Sequence, residues 1–242
     1  MNTRITGSVL ALAVVAASNG LAQERDEKIE EVIVVSQATT FANTVVSDSM
    51  KLQNSAITSV NDLIDNLPGV SVQEGDAFGF DDWSTAIAVR GFQTTLAEQQ
   101  VGSTIDGLPN GNSNYGGGSK ANRYIDTANL ENIEVSQGTA DIASRSLESL
   151  GGTLNYVTQN PEDKQRTRFQ YVSGQFDSER MYARYDSGIV GESTRLFVSF
   201  SHQEATDWME GSAQNTRDHA AFKIVTGDDD MMFTGYVSYD DI

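Results

Sequence analysis

Five runs of alternating apolar and polar residues follow Pro161, and they constrain the fold of this 242-residue chain more than any other feature. The runs cover residues 168–174, 181–187, 195–202, 219–225 and 231–239. In the second run, Met181 and Tyr185 share one face, whereas Arg184 and Asp186 lie on the other. A period of two indicates β-strands with one apolar and one polar face, and both a soluble sandwich and a membrane barrel show this pattern.

The connections between these runs favour the barrel. They span residues 175–180, 188–194, 203–218 and 226–230. The second and fourth are short and the third is long, as in outer-membrane barrels, where short periplasmic turns alternate with longer outer loops. The first connection is a short exception. Because five strands cannot close a barrel without a lipid-exposed open edge, the sequence predicts the first strands of an antiparallel transmembrane β-barrel in an incomplete fragment.

The start of the chain indicates secretion. Arg4 precedes an apolar stretch at 5–17, and the small residues Gly20 and Ala22 follow. This stretch is too short to span a bilayer and is typical of a signal peptide, here predicted at residues 1–22. No later segment is a candidate transmembrane helix, so a membrane-anchored protein of this sequence requires a barrel.

Composition excludes several classes of function. A formal charge of −18 disfavours binding to nucleic acid or to an anionic leaflet. The absence of cysteine excludes disulfides and thiolate metal sites. His202 and His219 lie in strand-like runs, and residues 228–230 lack the pattern of a calcium loop. The sequence therefore predicts no catalytic residue, metal site or cofactor, and no enzyme.

The region before Pro161 has a different pattern. Apolar residues at spacings of three and four predict a helix over 57–67, ending at Pro68; they are Ile57, Val60, Leu63, Ile64 and Leu67. Short strands separated by turn residues are predicted at 70–72, 86–89, 101–105, 133–136 and 153–158. We therefore predict an α+β domain at 47–161, followed by the barrel strands at 162–242.

Six motifs in this region resemble, in order, the leader and plug domain of TonB-dependent receptors. They are EEVIVVS at 30–36, VNDLIDNLPGV at 60–70, IAVRGF at 87–92, IDGLP at 105–109, LENIEV at 130–135 and GGTLN at 151–155. The resemblance implies a plug domain inside a barrel of about 22 strands. It also implies a periplasmic leader at 23–46 and a location in the bacterial outer membrane.

The first of these motifs resembles the TonB box, the segment by which TonB couples energy to the receptor. It comprises Val32, Ile33, Val34, Val35 and Ser36. Such a segment binds by adding its backbone to a strand edge of the partner. The alternative is an ordinary buried strand of the plug domain.

Arg90 is a candidate for contact between plug and barrel. In the family, plug arginines pair with carboxylates of the barrel wall and lock the plug. Gln137 departs from the family pattern, which has Arg or Lys at this position, and Arg145 is a possible substitute. The alternative is that Arg90 ends a strand and reaches solvent.

Two segments, 74–85 and 110–124, are candidates for ligand contact at the plug apex. The second combines flexible glycines with amide, aromatic and cationic groups, which suit a polar ligand carrying carboxylates or hydroxyls. The candidate ligand-binding residues are Asn114, Tyr115, Lys120 and Arg123. The alternative is a solvated linker. The pair at 106–107 predicts a turn, with no ligand role.

The resemblance implies an energy-dependent import receptor, in contact with outer-membrane lipid and driven by TonB. Its ligand is expected to be a ferric siderophore or a similar scarce nutrient, with haem, cobalamin and oligosaccharides as alternatives. The competing interpretation is a secreted β-rich binding module with no transport role.

Overall fold

The computed structural model describes residues 43–54, 57–76, 79, 84–95, 98–110, 121–138, 146, 149–206, 214–228 and 230–242. The predicted signal peptide at 1–22 and the predicted TonB box at 32–36 lie outside these residues. Within the described ranges, no helix is both long enough and apolar enough to cross a membrane.

Two small sheets build the plug region, which we define as residues 43–161. Its strands are β1 (Asn43–Val46), β2 (Val70–Gln73), β3 (Ala86–Val89), β4 (Phe92–Thr94), β5 (Gly102–Ile105), β6 (Leu108–Pro109), β7 (Leu130–Gln137) and β8 (Gly152–Thr158). One sheet has the order β1-β7-β8-β5-β6, and the other has the order β2-β3-β4. Strands β5 and β8 are parallel, and the remaining pairs are antiparallel. The five strands predicted in this region therefore form, with small shifts at their ends.

Helical structure in the plug region is shorter than predicted. The only α-helix among the described residues is α1 (Asp48–Lys51), and three 3-10 helices cover Asp62–Ile64, Ala121–Arg123 and Thr127–Asn129. The predicted helix over 57–67 is therefore wrong in extent.

The reason lies in a local hydrogen bond that replaces the first helical turn. The Ser59 hydroxyl accepts the backbone N–H groups of Asn61 and Asp62 at 3.1 and 3.0 Å. A serine side chain that captures nearby backbone donors competes with a regular helix. The apolar face was nevertheless predicted correctly, because all five of its residues are buried: Ile57, Val60, Leu63, Ile64 and Leu67.

Five antiparallel strands in sequential order form a second structural unit, which we call the wall sheet. They are β9 (Gln165–Ser173), β10 (Glu179–Ser187), β11 (Arg195–Thr206), β12 (Gln214–Gly227) and β13 (Met232–Asp241). Each contains most of one run predicted from alternation. Their register is regular, with each strand paired to the next along the chain.

The wall sheet exposes its apolar face and buries its polar face. Phe169 is 69% exposed and Val237 is 67% exposed, whereas Arg184 and His219 are each 1% exposed. A soluble sandwich would bury the apolar side of such strands against a second sheet. The sandwich alternative is therefore wrong, and the arrangement is that of a wall with an apolar face for lipid and a polar interior.

Candidate functional site: the contact between plug region and wall sheet

Basic side chains dominate the buried face of the wall sheet where it meets the plug region. Arg180, Arg184, Arg217 and Lys223 are all less than a tenth exposed. Ions buried to this degree are stable only with paired charges and hydrogen bonds. Their partners therefore identify the residues that hold the plug region in place.

Asp126 makes the most fully buried ion pair between the two units. Its Oδ1 lies 2.5 Å from Nη2 of Arg180, and its Oδ2 accepts the Ser201 hydroxyl at 2.6 Å. The same carboxylate caps a 3-10 helix by accepting the Ala128 N–H at 2.8 Å. Burial alone would raise the pKa of Asp126, but Arg180 and the Ser201 hydroxyl outweigh it and hold that pKa below its ordinary value.

Asn129 lies one short helix further along and contacts the wall with both ends of its amide. Its Nδ2 donates to the Ser199 hydroxyl at 2.8 Å, and its Oδ1 accepts the Tyr182 hydroxyl at 2.7 Å. All three side chains are buried. An amide that is satisfied at both ends fixes the plug segment against two neighbouring strands of the wall.

Lys223 joins the wall to the turn between β5 and β6. Its Nζ donates to the carbonyl and hydroxyl oxygens of Thr158 at 3.0 and 2.7 Å, and lies 3.4 Å from Oδ2 of Asp106. Asp106 also accepts the Thr158 N–H at 2.8 Å. The backbone at Asp106 and Gly107 has positive φ, as a turn requires, so the turn predicted at 106–107 is present. Its carboxylate, however, also contacts the wall.

Arg184 anchors the segment that leads from the plug region into the wall. Its guanidinium forms two bonds to Asp186, at 2.9 and 2.7 Å. It also donates to Oε1 of Gln159 at 2.9 Å and to the Asn160 carbonyl at 3.0 Å. The guanidinium lies over the Phe197 ring, 3.8 Å from its centroid. With its donors satisfied and one face stacked, Arg184 fixes this exit segment.

A fifth set of contacts connects the wall with the interior of the plug region. Arg217 bonds to Asp240 at 2.7 Å and donates to the Asn122 carbonyl. The Asn122 amide in turn donates to the Gly79 carbonyl at 2.8 Å and accepts from Asn61 at 3.3 Å. Asn61 and Asn122 are fully buried, so this chain of amides carries the contact from the wall into the plug core.

Glu74 follows strand β2, at the start of the first predicted ligand-contact segment, 74–85. It accepts the Ser59 hydroxyl at 2.5 Å. Burial raises the pKa of Glu74 to about 7, and the nearby carboxylates of Asp62 and Asp76 add to this effect. The Ser59 hydroxyl acts in the opposite direction.

Among the predicted site residues, Arg90 and Arg123 are described. Nε of Arg90 donates to Oε1 of Gln137 at 3.1 Å, and Nε2 of Gln137 donates to the Pro68 carbonyl at 2.9 Å. Gln137 thus links the end of β7 to the β3–β4 turn and to the turn before β2 as a neutral bridge. The pairing of Arg90 with a wall carboxylate stays a prediction. Arg123 is exposed at the end of a 3-10 helix.

The other predicted site residues lie outside the described part of the chain. They are Val32, Ile33, Val34, Val35, Ser36, Asn114, Tyr115 and Lys120.

The residues that make the contact were not predicted from the sequence. The buried ion pairs place carboxylates on the plug region and cations on the wall, the reverse of the polarity expected for Arg90. The alternation of apolar and polar residues did place Arg184 on the polar face of its strand. This was the one sequence signal for a residue of the contact. Asp126 and Lys223 could not be matched to their partners, because Asp126 and Arg180 are separated by more than fifty positions. In the described ranges, no group of three or more histidine and carboxylate side chains could hold a metal ion.

Comparison with known proteins identifies the plug region. Residues 36–153 match the family model of the TonB-dependent receptor plug domain. The structure is similar to that of the pyoverdine outer membrane receptor FpvA from Pseudomonas aeruginosa, with a TM-score of 0.62 and 19% identity. That match covers 82% of this chain and 27% of FpvA.

Two other receptors have a similar fold. The ferric yersiniabactin uptake receptor FyuA from Yersinia pestis matches with a TM-score of 0.58 and 20% identity, over 82% of this chain and 31% of FyuA. The siderophore receptor PirA from Acinetobacter baumannii matches with a TM-score of 0.61 and 13% identity, over 82% and 31% respectively. The chain therefore spans about a third or less of each of these three structures.

The plug match and the wall sheet confirm the predicted combination of an α+β plug with antiparallel barrel strands. They also confirm the predicted location in the outer membrane and the expectation of a non-enzymatic receptor. Residues 36–153 therefore form a plug domain of the kind found in TonB-dependent receptors.

Proposed function

We propose that the receptor containing this chain imports a scarce nutrient across the outer membrane and draws its energy from TonB. The observation that carries the proposal is the buried polar contact between the plug region and the wall. Hydrogen bonds and ion pairs fill this contact, whereas the opposite face of the same strands is apolar and exposed. Polar groups can exchange their partners for water or for a polar ligand, which apolar side chains cannot do, and this suits a plug that has to move.

A ferric siderophore is the proposed ligand. FpvA has been solved bound to pyoverdine, and FyuA is an uptake receptor for ferric yersiniabactin. Their similarity to this chain is one of fold, and it favours a ligand of the same class. Haem, cobalamin and oligosaccharides are the ligands to test against it.

The proposed domain arrangement is the one predicted from the sequence. It comprises a signal peptide at 1–22, a periplasmic leader at 23–46, the plug at 47–161 and barrel strands from 162 to 242. The leader contains the proposed TonB box at 32–36, which would bind TonB by strand addition. Asn114, Tyr115, Lys120 and Arg123 are the proposed ligand contacts.

Substitution of Val34 tests the coupling. Val34→Pro removes a backbone donor from the centre of the segment and restricts the preceding residue, so it should abolish TonB-dependent uptake. Val34→Thr keeps the donor and the β-branched shape, so it should transport almost normally. The measurement is uptake of ⁵⁵Fe-labelled ferric siderophores into intact cells, with surface binding measured on the same cells.

The binding measurement separates coupling from ligand recognition. Surface binding should survive in both variants, since the ligand contacts are proposed in a different part of the chain. Normal uptake by Val34→Pro would refute the assignment of residues 32–36 as the TonB box. Uptake of labelled haem, cobalamin or oligosaccharide, but of no ferric siderophore, would refute the proposed ligand.

A further inference from the structure

Charge is sorted between the two faces of the wall sheet. Within the described strands, the plug-facing side carries seven basic residues and two carboxylates: Arg166, Arg168, Arg180, Arg184, Arg195, Arg217 and Lys223, with Asp186 and Asp240. The charge of the whole chain is −18. A cationic inner face in such an acidic chain indicates a role for positive charge inside the barrel.

Two of these cations depend on the plug region for a carboxylate partner. Arg184 and Arg217 have partners on the wall itself, in Asp186 and Asp240. Among the described residues, Arg180 and Lys223 form their ion pairs with plug carboxylates, Asp126 and Asp106 respectively. Movement of the plug away from this wall would therefore leave Arg180 and Lys223 without a carboxylate.

His219 lies on the same face between these two cations. Its side chain is 1% exposed, and among the described residues neither ring nitrogen makes a hydrogen bond of good geometry, although the Tyr124 backbone lies near the ring. The register places Arg180 level with Arg217, two residues from His219 along β12. Lys223 lies four residues beyond His219, so the three side chains span roughly 20 Å along the strand direction at about 3.3 Å per residue. A buried imidazole without partners is costly, and a ligand group could satisfy it.

We propose that Arg180, His219 and Lys223 form a ladder of sites for an anionic group of the ligand as it passes the displaced plug. The inference rests on the proposed import function and adds that the ligand carries negatively charged oxygen donors, such as carboxylates. Asp126 and Asp106 occupy the two ends of this ladder in the resting receptor. A ligand anion that takes their place relieves the cost of leaving two cations unpaired, so the plug and the ligand exchange on the same sites.

A single cysteine provides a reporter at this face. Ala221 is buried on the plug-facing side between His219 and Lys223, and the described chain has no cysteine of its own. The experiment uses the full-length receptor with Ala221→Cys as its single cysteine, any cysteine in the rest of the receptor being replaced. Labelling rates would be measured with two methanethiosulfonate reagents, one carrying an anionic sulfonate group and the other a cationic trimethylammonium group. Each rate would be measured at increasing concentrations of urea. Heat-modifiable migration on a gel would show that the barrel remains folded.

The anionic reagent should react faster than the cationic one after correction for their rates with free thiol. Adding Arg180→Gln and Lys223→Gln should lower the ratio of the two rates roughly threefold, since two screened charges are removed near the reporter. The matched control, Arg180→Lys with Lys223→Arg, keeps both charges and should keep the ratio.

An unchanged ratio after neutralisation would overturn the proposal. A reporter that is never labelled while the barrel is folded would overturn it too, because the plug would then never leave this wall. The labelling requires neither TonB nor a siderophore. A receptor that fails the uptake test can therefore still show the charge preference. A receptor that transports normally but lacks the charge preference would refute only the ladder of anion sites, and not the proposed import function.

Discussion

Asp126→Asn is the most informative single change to the contact between the plug region and the wall. The substitution keeps the size of the side chain and one oxygen, which can still accept the Ala128 N–H, while an NH2 group replaces the oxygen that accepts the Ser201 hydroxyl. It removes the charge that pairs with Arg180 at 2.5 Å. The expected result is a plug that detaches from the wall at a lower urea concentration.

The size of the effect follows from burial. The side chains of Arg180 and Asp126 are only 6% and 7% exposed. Removing one partner of a buried ion pair costs about 3–5 kcal/mol, because the other charge remains buried without compensation. With a urea dependence of about 2 kcal/mol per M, the midpoint for plug unfolding should fall by about 2 M.

Hydrogen exchange of plug amides in the full-length receptor, measured over a series of urea concentrations, would give this midpoint. The pKa of Asp126 is lowered in the folded protein, so its contribution is present above its unfolded value and is lost as pH falls through the folded value. The difference in urea midpoint between the wild type and Asp126→Asn should therefore persist at neutral pH and become smaller only below about pH 4.

Asp163→Asn is the matched control. Asp163 pairs with Arg195, but its side chain is 65% exposed. An exposed pair contributes about 0–1 kcal/mol, so this midpoint should shift by less than about 0.5 M. Equal midpoints for wild type and Asp126→Asn would refute the conclusion that the Asp126–Arg180 pair holds the plug.

Three further predictions concern other parts of the molecule. Lys120→Ala with Arg123→Ala should weaken ligand binding in a titration without lowering the amount of receptor in the outer membrane, and unchanged affinity would move the site elsewhere. Because the pKa of Glu74 is raised to about 7, its protonated form stabilises the fold at low pH, and this stability is lost as pH rises from about 4.5 through about 7. Glu74→Gln should therefore abolish the fall in plug stability between pH 5 and pH 8. The urea midpoint of this variant should then be the same at both pH values. Residues 166–242 expressed alone should aggregate without detergent, owing to unpaired strand edges and the exposed apolar face; a soluble monomer with cooperative unfolding would contradict the barrel assignment.

Local patterns in the sequence predicted the strands well. Every run with a period of two became a strand, because alternation is a property of neighbouring residues and requires no knowledge of distant ones. The helix over 57–67 failed for an equally local reason, since the Ser59 hydroxyl captures two backbone donors that a helix would use. Its spacing still identified the buried residues, because core packing depends on which side chains share a face.

The sequence by itself determined that the strands after Pro161 have one apolar and one polar face. Only the tertiary structure decided that the polar face turns inward, onto a plug whose carboxylates pair with its cations. Asp126 meets Arg180 and Asp106 meets Lys223 across 54 and 117 positions of the chain. No local pattern encodes such pairs, because a buried charge is specified by the partner that neutralises it, and the fold alone brings the two together.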